Sequence, residues 1–502
     1  MTYADDRLDP ALLRLIAVVL LGGIMGILDG TMVAVAVETL TGEFGTSVST
    51  IGWASTGYLL ALTVTIPVTG WAVDRFGAKR LWLAGLLLFM LGSLASGLAW
   101  NVPSLLGFRV LQGIGAGILD PLVLTLLARA AGPHRAGRVM GLMGAVLPLG
   151  PVLGPVLGGA VLDGFGWRWM FLVNIPIGAL ALLLALRVIP ADATNRIHTV
   201  SPAATADPAG VADPGGSRSR LDLVGLALVG PGVAAVVLAL HQVAATGRLG
   251  AWQALVPLVL GGLALGVYAA HALRATAVPP LIDVRLFASR SFSASVTVQG
   301  LVGVASFSLL FVLPLYHQQT HPQDGGALAA GLVVAPMGLG SVLAMPVAGR
   351  LSDRLGARRL ATGGAVVALA GALALTQVGA ETHGAWPALW AFVAGAGLGF
   401  VGAPTMGSLY RTLPPHQVPQ GSSVLYMLNQ LGASIGIAVV ALIVDLSGDT
   451  DPMRGFHGVY WWVVACIAVI LAGSTLLPGA PEPPDEPLTA TPPQVAAGTD
   501  RR

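Results

Sequence analysis

The chain has 502 residues, 55% of them hydrophobic and 10% charged, with a mean hydropathy of +0.79. Soluble domains carry about a quarter charged residues, so this one cannot clothe itself in a polar surface, and lipid must be its main solvent. A formal net charge of +2 is too small to argue for a nucleic-acid partner, and the lone cysteine, Cys466, excludes an intrachain disulfide or a cysteine metal cluster.

The first residues carry Asp5, Asp6 and Asp9 where a secretory signal would be basic, and the apolar run that follows is too long for one. It is expected to be a retained span. Apolar runs of about 20 residues, enough to cross a bilayer, fall near 13–36, 49–72, 81–100, 104–129, 139–162 and 168–189. After a polar gap come runs near 221–243, 252–273, 292–317, 327–350, 359–378, 387–410, 420–444 and 457–477, fourteen spans in all. With the N-terminus inside, the outer loops hold only Arg168, Arg248 and Arg454, and every other loop cation lies on the inner side. That asymmetry follows the positive-inside rule and places both termini in the cytoplasm.

One stretch occurs twice. Gly70-Trp-Ala-Val-Asp74-Arg75-Phe-Gly77-Ala-Lys79-Arg80 and Gly349-Arg-Leu-Ser-Asp353-Arg354-Leu-Gly356-Ala-Arg358-Arg359 share their Gly, Asp-Arg, Gly and paired-cation positions. Each copy closes the second span of a six-span block, which implies an internally duplicated protein. The resulting plan is a cytoplasmic N-terminus (1–12), an N-terminal six-helix bundle (13–189), a flexible linker (190–220) and two inserted helices (221–273). A connector (274–291), a C-terminal six-helix bundle (292–477) and a disordered Pro-rich tail (478–502) complete it. The repeated loops can pair with neighbouring helix ends to close the cytoplasmic side, or serve only to anchor topology.

Three ionisable residues sit deep in the spans: Asp29 in the first, Arg109 and Asp120 in the fourth. A charge at mid-bilayer costs at least ~2.5 kcal/mol, so such residues face a partner or a wet interior. Asp29 and Arg109 lie at similar depth and can touch. Asp120, about three turns further along, returns to nearly the same face of its helix. Arg109 could instead snorkel to the interface, Asp29 could be a fixed counter-ion, and Asp120 could bond backbone freed by Pro121. An acid taken out of water favours its protonated form, which would allow proton coupling. In the alignment of the two repeats, Asp29 falls on Ser308 and Arg109 near Trp390, so the deep charges belong to the first half alone.

The fifth span reads Gly150-Pro151-Val-Leu-Gly154-Pro155-Val-Leu-Gly158-Gly159. Glycines one turn apart admit a close helix neighbour, and the prolines remove helical hydrogen bonds. This is a packing ridge, or a helix pair that must rock. Enzyme and nucleotide signatures are missing: Lys79, the sole lysine, is followed by Arg80, so there is no Walker A loop to take ATP. No metal site is expected, and no histidines stand at metal spacing. Candidate cavity residues are Thr31, Gln112, Tyr316, Gln318 and Asn429, with interfacial solvation the alternative around Tyr316, His317 and Gln318.

Together these residues resemble the major facilitator superfamily, specifically its fourteen-span drug:proton antiporters. Residues 70–80 match its loop motif, Arg109-Val-Leu-Gln112-Gly113-Ile-Gly115 its proton-coupling motif, and Gly150–Gly159 its exporter signature. Leu28-Asp29-Gly30-Thr31 is similar to the first-span motif, and Trp167-Arg168-Trp169-Met-Phe171-Leu-Val-Asn174-Ile-Pro176-Ile-Gly178 to the opening of the sixth span. The resemblance implies an all-α fold of two six-helix bundles plus two extra helices, working by alternating access in the cytoplasmic membrane as a monomer. It implies export of small amphipathic organic compounds against inward proton movement, with no cofactor beyond the proton gradient. Asp29 and Arg109 are implied in coupling, and Gly154, Pro155, Gly158 and Gly159 in exchange. The chain departs from the pattern at Ala34, Ala36 and Glu38, lacks a buried acid in its tenth span, and carries Asp120 where an acid is not typical. The rival expectations are a dedicated exporter of one endogenous metabolite or antibiotic, and a transport-dead membrane sensor or scaffold.

Overall fold

The structure, a computed structural model, describes residues 9–479 apart from 34, 145–148, 191–220, 275–277, 321–326, 380 and 448–451. The linker after residue 190 and the tail after 479 therefore lie outside the described residues. Regular structure among those described is helical throughout. The first half comprises α1 (Pro10–Met32), the short α2 (Val37–Phe44), α3 (Val48–Phe76), α4 (Ala78–Gly97), α5 (Val102–Gly144), α6 (Leu149–Phe165), α7 (Trp167–Leu172) and α8 (Asn174–Val188). A hairpin of α9 (Leu223–Thr246) and α10 (Trp252–Arg274) follows. The second half comprises α11 (Arg290–Thr320), α12 (Ala327–Leu355), α13 (Ala357–Leu375), α14 (Ala385–Thr412), α15 (Val418–Ser447) and α16 (Pro452–Ser474).

Thirteen of these helical stretches are long and apolar enough to span a membrane, with Val156–Phe165 a shorter apolar piece. The difference from fourteen lies in the fifth span. Its first part continues from the fourth inside α5, broken only where Gly132 takes φ 66°, and its second part is α6. Two large apolar cores result, one centred on the first half and one on the second.

Glycine sets the helix spacing. A side chain at Gly113 or Gly117 would strike the α3 backbone at Tyr58 or Leu62, and one at Gly115 would strike the α4 backbone at Phe89. Along the ridge of α6, side chains at Gly150, Gly154 and Gly158 would meet Ile27, Thr31 and Met32. The close neighbour of that ridge is therefore α1. The side chains of Pro151 and Pro155 lie outside the described residues. The inserted hairpin turns a broad apolar face outward at Leu255, Val259, Leu260 and Leu263, where only lipid can satisfy it.

The repeated loops fold alike. Gly77 and Gly356 each take a left-handed φ, 87° and 82°, and each caps the helix that follows. The cation two residues on then reaches the last helix of its own half. Lys79 Nζ donates to the carbonyls of Leu186 (2.9 Å) and Ile189 (2.6 Å) at the end of α8. Arg358 Nε donates to Leu477 O (2.9 Å) just past α16. These cations thus cap carbonyl ends left without helical donors, besides anchoring topology. Charge-assisted hydrogen bonds contribute about 1.5–3 kcal/mol. Lys79→Met is accordingly expected to lower the unfolding midpoint of the detergent-solubilised protein by several degrees, measured by tryptophan fluorescence. An unchanged midpoint would refute the capping role.

Candidate functional site

Between the two halves lies a cavity of about 360 Å³. Its first-half wall includes Gly26, Gly30 and Thr31 of α1, Thr56 and Tyr58 of α3, and Asp120 of α5. The opposite wall includes Gln299 of α11, Ser341 of α12, and Tyr426, Asn429 and Gln430 of α15. Its apolar surface is lined by leucines such as Leu59, Leu124 and Leu398, with Met143, Met337, Met345 and Met406 among them. Methionine is polarisable and flexible, and suits surfaces that accept differently shaped apolar partners.

Behind this wall, inside the first half, Asp29 and Arg109 form a wholly buried ion pair through Asp29 Oδ2 and Arg109 Nη1. Gln112 braces both, accepting from Arg109 Nη1 (2.7 Å) and donating to Asp29 Oδ1 (2.9 Å). Asn174 Nδ2 at the start of α8 donates to Asp29 Oδ1 (3.0 Å), and Ser93 Oγ of α4 accepts from both amides (3.1 and 3.0 Å). Arg109 Nε donates to Ala54 O (3.3 Å), and the guanidinium lies 4.3 Å from the centre of the Tyr58 ring. The expectation that Gln112 lines the cavity is corrected: its amide is consumed by the ion pair. Arg109 does not snorkel, because α1, α3, α4 and α8 enclose it.

Tyr58 is the partition. Its ring covers Arg109 on one side, while its hydroxyl donates to Gly26 O (3.2 Å) beside the cavity. Asp120 has a different setting from Asp29. It is 93% buried, and its carboxylate accepts from the hydroxyl of Tyr426 in the opposite half, with no ion-pair partner among the described residues. The bond joins the halves at cavity depth.

The family model described as Major Facilitator Superfamily matches residues 19–437 and 297–497. The chain belongs to the major facilitator superfamily. It is 37% identical over 440 residues to the multidrug resistance protein B homolog of Mycobacterium tuberculosis, covering 87% of this chain and 77% of that one. The lincomycin resistance protein LmrB of Listeria monocytogenes is 27% identical over 445 residues, 89% of each chain. Among solved structures, the human organic anion transporter MFSD10 superposes with a TM-score of 0.61 at 16% identity, covering 91% of this chain and 100% of that one. The proton:xylose symporter XylE gives 0.60 at 16%, covering 92% and 94%. These last two show a shared fold. The family and its structural neighbours are transporters and not enzymes, and the present chain is a multi-pass membrane transporter.

In this major facilitator chain the end that carries the repeated loops is closed between the halves. Asp353 accepts from the backbone N–H groups of Gly137 (3.0 Å) and Arg138 (3.1 Å) across the interface, and from Arg411 Nη1 (2.9 Å) within its own half. A side chain at Gly349 would strike Gly137, so the backbones themselves meet there. The other copy faces across likewise: Asp74 lies in the field of Arg129 and His416, and Gly70 sits beside Gln420. Thr31 and Asn429 line the cavity between the halves.

Tyr316 and Gln318 do not line it. The Tyr316 hydroxyl donates to Gly379 O (2.9 Å) inside the second half, and Gln318 is exposed near the end of α11. Sequence reasoning placed them there because polar residues at a span end can face either inward or outward. Tyr426, Gln299 and His241, which do line the cavity, went unnoticed, since a single polar residue in an apolar span does not disclose its partner. Removing Arg109 would strand a buried carboxylate, a loss of about 3–5 kcal/mol. Arg109→Ala is expected to unfold well below the wild type in detergent, and the paired neutral variant Asp29→Asn/Arg109→Gln to recover most of the difference. A single variant as stable as wild type would show that the pair does not hold the bundle.

Proposed function

We propose that the chain is a proton-coupled antiporter that exports small amphipathic organic compounds across the cytoplasmic membrane as a monomer, with the repeated loops and both termini on the cytoplasmic side. The observation that carries this reading is Asp120, an acid in the cavity wall whose partner is a neutral hydroxyl of the opposite half. An arginine can only donate to its carboxylate, whereas a tyrosine hydroxyl can donate to the carboxylate or accept from the protonated acid. Asp120 can therefore hold a proton or face a cationic substrate, and the two compete. Asp29 and Arg109 take part by fixing α1 against α5, so that Gly26 keeps its place beside Asp120 and Tyr58. The largely aliphatic wall, with four methionines in it, and the multidrug resistance name of one relative support a broad apolar substrate range over a single metabolite.

In the cycle, substrate enters from the cytoplasmic side and the loop-bearing end then closes through Asp353 on the Gly137–Arg138 backbone, the arrangement seen here. Protonation of Asp120 from the outer side displaces substrate, and reopening inward returns the proton. The glycine ridge of α6 lets α1 slide past it during this exchange.

Ethidium is a test compound because its cationic charge does not change with pH, so pH acts on the protein alone. Wild-type protein is expected to bind it more weakly as pH falls, and everted vesicles to accumulate it only under an imposed pH gradient. Asp120→Asn should weaken the pH dependence of binding, leaving only what His241 of the same cavity contributes, and reduce gradient-driven uptake to the level of vesicles without the protein. Full gradient-driven uptake by Asp120→Asn would remove the residue from coupling, and wild-type transport indifferent to the gradient would end the antiport reading.

A further inference from the structure

The inserted hairpin is not an outlying appendage. Helix α9 wedges between the halves, with Gly230 against Val64 of α3 and Val243 packed with Ala438 and Leu442 of α15. The hairpin is clipped to the connector by Tyr268, whose hydroxyl donates to Ile282 O (2.7 Å) and accepts from Ile282 N (2.8 Å). In that position α9 closes one side of the cavity, and Val237, Leu238, Leu240, His241 and Ala244 are part of its wall.

His241 is the polar group in that stretch, and its tautomer is assigned from the hydrogen bonding of its neighbour. Thr56 Oγ1 lies 3.2 Å from Gly52 O and 3.1 Å from His241 Nε2. The hydroxyl has one proton, which it gives to the Gly52 carbonyl in the usual helical back-bond. Its oxygen then accepts from Nε2–H, so the neutral ring keeps its lone pair on Nδ1. Nδ1 has no hydrogen-bond partner among the described residues.

We infer that His241 is a specificity-determining residue of the transport cavity, accepting at Nδ1 a hydrogen bond from an N–H or O–H group of the substrate. This rests on the transport reading above and adds a substrate class to it: compounds that carry a donor are favoured over those of similar size and charge without one. It also gives the inserted helices a function, as the third wall of the chamber.

Two probes separate donor recognition from general apolar binding: ethidium, which carries two aromatic amino groups, and tetraphenylphosphonium, a lipophilic cation with no donor. Loss of one hydrogen bond to a ring nitrogen corresponds to about tenfold in affinity. His241→Ala is expected to weaken ethidium binding by about that factor and leave tetraphenylphosphonium unchanged, while His241→Gln, which restores an acceptor, recovers ethidium binding. Unchanged binding of both probes by His241→Ala, or equal loss of both, overturns the proposal. A wild type that binds neither probe counts instead against the transport reading.

A second measurement needs no ligand. In a Cys466→Ala background reconstituted in nanodiscs, His241→Cys is expected to react with a charged, membrane-impermeant thiol reagent, and Leu260→Cys on the outward face of α10 is not. An unreactive His241→Cys would place that face of α9 in lipid and overturn the proposal on its own.

Discussion

A guanidinium and a carboxylate shut away from water dictate the construction of the first half. Neither Asp29 nor Arg109 could be left alone at this depth, and their mutual attraction does not by itself offset the loss of hydration. Gln112, Asn174 and the Ala54 carbonyl take up most of the remaining lone pairs and N–H groups, and Ser93 holds the two amides. Arg109 Nη2, with no hydrogen-bond partner among the described residues, belongs to a guanidinium covered by the Tyr58 ring. With the pair itself these residues come from five helices, so the arrangement holds only when α1, α3, α4, α5 and α8 stand at set distances. The glycines at 92, 113 and 115 make those distances reachable, because any side chain there would strike the facing backbone. The charge cluster and the glycine pattern are two expressions of one requirement.

The second half has the same outline without that constraint. Where the repeat alignment would put an acid it has Ser308, wholly buried and without a hydrogen-bond partner for its hydroxyl. Its α13 packs instead by a stripe of buried alanines, Ala357, Ala361, Ala365, Ala368 and Ala372, against glycines such as Gly397. Close packing of small residues dominates there, in keeping with helix association in lipid, with hydrogen bonds such as Tyr316 to Gly379 O and Arg411 to Asp353 nearer the helix ends. The result is one half pinned by charge and one packed by small residues, joined at the loop-bearing end, through α9, and across the cavity by Asp120 and Tyr426. Apolar packing also crosses between the halves, where Met406, Leu409 and Leu425 join the first core, and the polar bonds of Asp353 and Tyr426 fix the register of that contact.

Much of this was legible in the residues. The spans, the duplication and the meeting of Asp29 with Arg109 follow from periodicity, loop charge and depth, which are local or one-dimensional properties. Positions one turn apart on the fifth span identified a close-packing ridge, though the partner, α1, needed three dimensions. What was not legible depends on rotation about a helix axis. Gln112 is three residues from Arg109 and so shares its face, which turns it toward the ion pair and away from the cavity. Tyr316 and Gln318 differ by two residues, and neither faces the void. The pairing of Asp120 with Tyr426 spans most of the chain, and nothing near either residue announces the other. His241 lay in an inserted segment with no counterpart in the repeat, so the duplication could not place it.

The contrast between the two buried acids gives the arrangement its logic. Asp29 has a cation and two amides, partners that all prefer the carboxylate, and protonating it would break the cluster that positions five helices. Asp120 has one hydroxyl, which can reverse its direction when the acid gains a proton. A machine that moved its proton through Asp29 would have to loosen its own framework at every turnover. One that used Asp120 would change only a bond between halves. On physical grounds the well-braced pair is suited to hold and the sparsely braced acid to exchange, with Tyr58, in contact with Arg109 and beside the cavity, standing between the two roles.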